Sequence, residues 1–179
     1  MSAMTLEAAV QHVVSTDPTF AVTQVQVRGT TFKAFQNIPP IVPALLAAGW
    51  ARHGDGALDY LSYEGESLTY AAFCDHVHRM AHALRDDLGI RQGDRVAVAM
   101  RNYPELLVLV LAISSIGATV VFVNAWWTTE ELDYALRDSE AKTVFADGPR
   151  LARLVPLQLA LGLTGCAMVK TIPHKAIPR

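Results

Sequence analysis

Residues 94–147 constrain this chain more than any other stretch. They open with Arg95-Val-Ala-Val-Ala-Met100, a run of strand length with no polar alternation. An apolar helix is expected over residues 102–116, and residues 118–123 read as a second apolar strand. Residues 128–138 repeat at helical spacing, and Thr143-Val-Phe-Ala146 is a third short strand. Strands that are apolar on both sides need cover on both faces, and intervening helices supply it. The expected fold is therefore α/β: half of a doubly wound, largely parallel sheet. Such a sheet keeps its ligands outside the carboxyl ends of the strands. The loops at those ends carry few reactive side chains here.

The flanking sequence adds peripheral pieces. Residues 6–14 have a weak helical pattern, so residues 1–19 form a peripheral helical segment. Apolar and polar residues alternate around Gly29 between Phe20 and Phe35, which is a β-hairpin pattern. A helix is expected over residues 41–53, closed by Gly54. Residues 57–63 and 67–69 make a second hairpin around Glu64-Gly-Glu66. Thr69 then caps a long helix in which Tyr70, Phe73, Val77, Ala81, Leu84 and Leu88 share one face. Asn102-Tyr-Pro-Glu105 and Thr128-Thr-Glu-Glu131 both have capping-box spacing. Residues 150–161 read as a helix that Pro156 must kink or split. A fourth parallel strand is expected over residues 166–169, followed by an irregular tail over residues 171–179. The whole chain, residues 1–179, reads as one partial domain.

Charge and cysteine content exclude some functions. The net charge is −2 and no basic block occurs, so nucleic acid is not an expected partner. Cys74 and Cys166 make no disulfide framework, and a reducing, cytoplasmic setting is expected. The opening Met1-Ser-Ala-Met-Thr-Leu-Glu7 lacks the basic start and apolar run of a signal peptide. Residues 106–123 are almost uncharged and as long as a short membrane span. Gly117 divides them into a helix and a β-branched strand, so a buried α/β unit is expected instead.

Four groups of residues could carry chemistry. Cys74, His78 and His82 lie four apart on one helical stripe, with His76 close by. Zinc uses such ligands, but a structural site needs four, and partly exposed histidines are the expectation. Trp126 and Trp127 follow a strand end, where they could line a ligand site or pack the strand–helix corner, and packing is favoured. Asp147-Gly148 follows the third strand and could hold a ribose, but a plain turn is expected. Asp59, Glu64 and Glu66 are expected on a solvated hairpin surface.

Several of these segments together carry a resemblance. Leu68-Thr-Tyr70 opens the long helix, and Ile116-Gly-Ala118 leads into the strand ending Phe122-Val-Asn124. Asn124-Ala-Trp-Trp-Thr128 continues through Glu131-Leu-Asp-Tyr134 and Asp138-Ser-Glu-Ala-Lys142 to Phe145-Ala-Asp147. In this order they resemble the N-terminal region of adenylate-forming (AMP-binding) enzymes. Gly93-Asp-Arg-Val-Ala-Val-Ala-Met-Arg-Asn102 followed by Tyr103-Pro-Glu105 is most similar to the fatty-acid–CoA ligase, or acyl-CoA synthetase, branch. The resemblance extends over residues 20–170.

The resemblance implies a reaction and a set of cofactors. Such enzymes use ATP and Mg²⁺ to convert a carboxylic acid to an acyl-adenylate, and the ligases pass the acyl group to coenzyme A. The family places this work on a glycine-rich phosphate loop ending Pro-Lys-Gly, a later Thr-Glu pair, an Asp for the ribose and a C-terminal Lys. None of these motifs occurs here. Lys170-Thr-Ile-Pro-His-Lys175 has no glycine to let the backbone approach a phosphate. The resemblance therefore assigns no catalytic, cofactor-binding or metal residue to this chain, and ATP, Mg²⁺ and coenzyme A belong to the complete family member. The reading is of an incomplete N-terminal subdomain, inactive alone. A separately encoded remainder of the ligase is one expected partner, and self-association through exposed apolar surface is another. The rival readings are one half of a split ligase and a non-enzymatic flavodoxin-like binding module.

Overall fold

The computed structural model describes residues 4–52, 56–163 and 165–168. The chain divides into two compact units, Met1–Ala48 and Gly49–Arg179.

The first unit starts with α1 (Leu6–Thr16), whose N-cap Thr5 accepts a hydrogen bond from the Ala8 N–H. No residue of α1 is buried. Strands β1 (Val22–Val27) and β2 (Thr30–Phe35) pair antiparallel, with Val22 opposite Phe35. Arg28 and Gly29 turn the chain at φ of 51° and 82°. A two-residue hairpin turn of type I′ has positive φ at both positions, and the glycine supplies one of them at no steric cost. Helix α2 (Val42–Arg52) begins in this unit. Its expected closure at Gly54 lies outside the described residues.

The second unit holds the sheet. Its hairpin pairs β3 (Asp59–Tyr63) with β4 (Glu66–Thr69). Thr69 then caps α3 (Tyr70–His82) by accepting from the Ala72 N–H. Phe73, Val77 and Leu84 are buried on the expected face, but Leu88 is 46% exposed. The cause is a π turn over Ala83–Asp87, in which the Leu88 N–H donates to the Ala83 carbonyl at 3.1 Å. A π turn holds an extra residue, so the 3.6 period fails there. Ile90 is buried instead.

Four parallel strands follow: β5 (Arg95–Ala99), β6 (Thr119–Phe122), β7 (Thr143–Ala146) and β8 (Gly165–Met168). Their spatial order is β6-β5-β7-β8, with every neighbouring pair parallel. The chain leaves β5 for β6 on one side, then crosses to β7 on the other. This reversal is the switch of a doubly wound sheet, here between β5 and β7. The expected half of such a fold, with peripheral hairpins, is what forms.

The connecting helices are α4 (Pro104–Ser115), α5 (Thr129–Ser139) and α6 (Gly148–Leu154). Ala97 and Ala99 of β5 share one cluster with Leu132 and Leu136 of α5 and Leu154 of α6. Val96 and Val98 alternate to the opposite face and are equally buried. Helix α4 packs against α3 and β6, with Leu109 and Ile113 fully buried. Removing a leucine or isoleucine side chain from water contributes roughly 1.5–3 kcal/mol. No helix among the described residues is long and apolar enough to cross a membrane.

Two caps behave differently. Thr128 and Glu131 close the expected capping box at the start of α5. Asn102 does not cap α4, because the N-cap is Tyr103 and no side chain bonds there. Pro104 takes the first helical position and holds the residue before it extended, at φ −90° and ψ 161°. Asn102 is thereby one residue too early, and Glu105 falls at the second helical position. Pro156 acts as expected: α6 stops at Leu154 and a 3₁₀ turn covers Val155–Leu157. The expected tail, residues 171–179, lies outside the described residues.

Candidate functional site

A cleft of about 470 Å³ opens at the carboxyl ends of β5 and β6. Met100, Arg101 and Asn102 come from the turn after β5, and Val123, Asn124, Ala125 and Trp126 from the connection after β6. Tyr63, Val98, Leu106 and Phe122 complete the lining. Beside it the Tyr63 and Tyr103 rings meet edge to face at 6.1 Å, and the Arg101 guanidinium lies 5.9 Å from the Tyr103 ring centre. Burial pushes the Tyr63 phenol above its ordinary value, and a hydrogen bond with Glu64 adds to the rise.

The chemistry this cleft can support follows from its inventory. It offers one cation, two side-chain amides, a phenol and an exposed indole. Among the described residues it offers no thiol, hydroxymethyl, imidazole or carboxylate. Such a lining can hold a ligand by stacking and hydrogen bonding, but it has no general base at ordinary pH. The described residues of the lining include no carboxylate for a metal and no run of glycines for phosphates, so they do not fit ATP with Mg²⁺.

A buried ion pair sits where the strand order reverses. Asp147 N-caps α6, so the plain turn expected at Asp147-Gly148 is instead a helix start. Its carboxylate accepts from the Arg101 N–H across the switch at 3.1 Å and from the Arg150 N–H at 3.2 Å. The Arg150 guanidinium is 3.2 Å away, and the two side chains are 6% and 3% exposed. That carboxylate is occupied by protein donors rather than presented to a sugar. Arg150 also donates from Nε to the Ala125 carbonyl at 2.8 Å and lies 5.1 Å from the Trp126 ring centre. Arg153 donates to the Trp127 carbonyl at 2.8 Å.

The other sequence candidates separate. Trp127 packs against the core cluster as expected, but Trp126 is 75% exposed at the cleft rim. Cys74 turns into the core, where burial pushes its thiol up, while His78 and His82 are exposed. No group of three His, Cys, Asp or Glu side chains among the described residues is placed to hold a metal ion. Asp59, Glu64 and Glu66 are exposed, as expected of a hairpin surface. The role of Arg150 was not legible, because nothing in the sequence distinguishes it from Arg153.

Comparison with known proteins decides the family. The model of the AMP-binding enzyme family matches residues 48–173. The chain belongs to the AMP-binding enzyme family. The match begins close to the start of the second unit, later than the residue 20 expected from the sequence. An acetyl-coenzyme A synthetase of Streptomyces coelicolor is 38% identical over 101 residues, 53% of this chain and 15% of that protein. ATP-bound MatB of Rhodopseudomonas palustris aligns with a TM-score of 0.60 and 28% identity, over 67% of this chain and 24% of that one. A fatty acyl CoA synthetase of Mycobacterium tuberculosis gives 0.55 and 27%, over 60% and 22%. The chain thus spans well under a third of each relative. The structural matches confirm the α/β architecture of this AMP-binding family member.

Proposed function

We propose that this chain serves as the N-terminal portion of an acyl-CoA synthetase and does not activate a carboxylic acid unaided. The observation carrying the reading is a mismatch of parts. The AMP-binding match covers residues 48–173, yet among the described residues the cleft within them has no carboxylate for Mg²⁺ and no glycine-rich loop for the phosphates. The names of the two matched synthetases share coenzyme A and differ in the acid, acetyl in one and fatty acyl in the other. The reaction class is therefore acid–thiol ligation, and the acid is left to residues outside this cleft. In this reading the four-stranded sheet is scaffold, and a polypeptide carrying the phosphate loop is the functional partner.

Pyrophosphate release tests it directly. The purified chain with ATP, Mg²⁺, coenzyme A and a panel of acids from acetate to palmitate is expected to give no acid-dependent signal. Adding a polypeptide that carries the glycine-rich loop and the C-terminal domain is expected to restore one. Acid-dependent release by the chain alone would overturn the proposal.

A further inference from the structure

We infer that Arg150 is the positioning residue of the cleft wall, holding the connection between β6 and α5 in place from helix α6, which follows β7. The inference rests on the internal geometry of the second unit and needs no assumption about the reaction.

The connection after β6 has little of its own to hold it. The Trp126 N–H donates to the Asn124 side chain at 2.9 Å, and the Trp127 N–H donates to the Asn124 carbonyl at 3.2 Å. Both bonds lie within the loop, and neither ties it to the sheet. Among the described residues, the side chains that hydrogen-bond to its backbone from the rest of the fold come from α6. Arg150 donates to the Ala125 carbonyl, and Arg153 donates to the Ala125 carbonyl at 3.3 Å and to the Trp127 carbonyl. Arg150 does more than Arg153, because its guanidinium also lies against the indole of Trp126, the exposed aromatic of the rim.

The arrangement requires a planar fork with fixed charge. One edge of the guanidinium faces Asp147 and the other faces the Ala125 carbonyl. Asp147 neutralises the buried charge and is itself tied to the Arg101 N–H, where β5 ends. One side chain thus links the ends of β5, β6 and β7. Lysine keeps the charge but is a point donor and cannot serve both edges.

Arg150→Lys separates this role from general packing. Charge is retained, so Asp147 is not left without a partner. Amide hydrogen exchange is read at Trp126 and Trp127, with the Val123 N–H as reference, since that group bonds to the Val98 carbonyl within the sheet. Loss of one charge-assisted hydrogen bond raises local opening roughly tenfold or more. Exchange at Trp126 and Trp127 is expected to rise by at least about that factor relative to Val123. An unchanged ratio would overturn the inference, whether exchange stays slow at all three or rises equally at all three. The unmodified chain gives a second measurement that needs no variant. The Arg150 Nε–H is expected to appear in nitrogen-15 spectra as a slowly exchanging signal, and exchange as fast as that of Arg79, which is two-thirds exposed, would refute it.

Discussion

Gly117 offers the sharpest test of the fold. It lies between α4 and β6 at φ 78° and forms the left-handed end of the helix. The Gly117 N–H donates to the Ser114 carbonyl, and the Ala118 N–H reaches back to the Ile113 carbonyl, both at 3.1 Å. This paired return is the Schellman arrangement, and it directs the chain straight into the strand. An L-residue held in this conformation costs about 1–2 kcal/mol. A Cβ added here would also come within 2.9 Å of Gln92 Cγ, but Gln92 is an exposed flexible chain that can swing away. The backbone term therefore dominates, and Gly117→Ala is expected to destabilise by about 1–2 kcal/mol. For a chain of this size that is a fall of roughly 2–8 °C in melting temperature. Gly117→Asn should lose less, because asparagine tolerates this conformation. Thermal melts of the parent, both variants and the Gln92→Ala/Gly117→Ala double variant would check the argument. Full recovery in the double variant would show that the side-chain clash, not the backbone, sets the cost. An alanine variant as stable as the parent would refute the left-handed geometry.

Two further outcomes are expected. The Arg85 side chain donates to Asp86 at 2.8 Å and, as the largest cause, lowers the Asp86 pKa to about 2 from its ordinary 3.8. A lowered carboxyl pKa favours the folded state above the ordinary value, and that advantage disappears as pH falls through the folded value. The parent should therefore exceed Asp86→Asn in urea midpoint above about pH 4, and the two should converge near pH 2; a gap constant across that range would contradict the pairing. Phe122 is 64% exposed on β6, which pairs only with β5 among the described strands. Open strand edges beside apolar side chains invite association, so sedimentation should show mass rising with concentration, less so for Phe122→Ser. A monomer at every concentration would remove this expectation.

The parallel sheet was legible because its strands are apolar runs without polar alternation and because α5 announces its start. Thr128 and Glu131 are spaced for a cap and make it. The failures share a cause, which is competition that a local pattern does not reveal. Asn102 lost its cap to the fixed geometry of Pro104. Leu88 lost its place in the core to a π turn that no residue type announces, and Ile90 took it. Asp147 looked like a turn because Gly148 and Pro149 follow it; its bond with Arg150 is local to the helix start, and Arg101 meets it only after β5 and β7 have paired. The cleft was legible as a place but not as an inventory. Strand ends predict where it opens, while Tyr63 arrives from a hairpin whose docking sequence pattern does not encode.

The position of β5 has a consequence for synthesis. The central strand leaves the ribosome before either of its neighbours. Arg95 finds its partner only when Thr119 has emerged, and Val96 meets Thr143 later still. Until then a run of apolar residues has no ladder to join. The hairpin β3–β4, by contrast, closes on itself within a few residues. Non-local parallel pairing is slow, and exposed strand surface is prone to wrong contacts while it waits. The nascent chain should therefore be most dependent on chaperones while residues 95–143 are being made, and slowing translation across that window should lower the yield of folded protein.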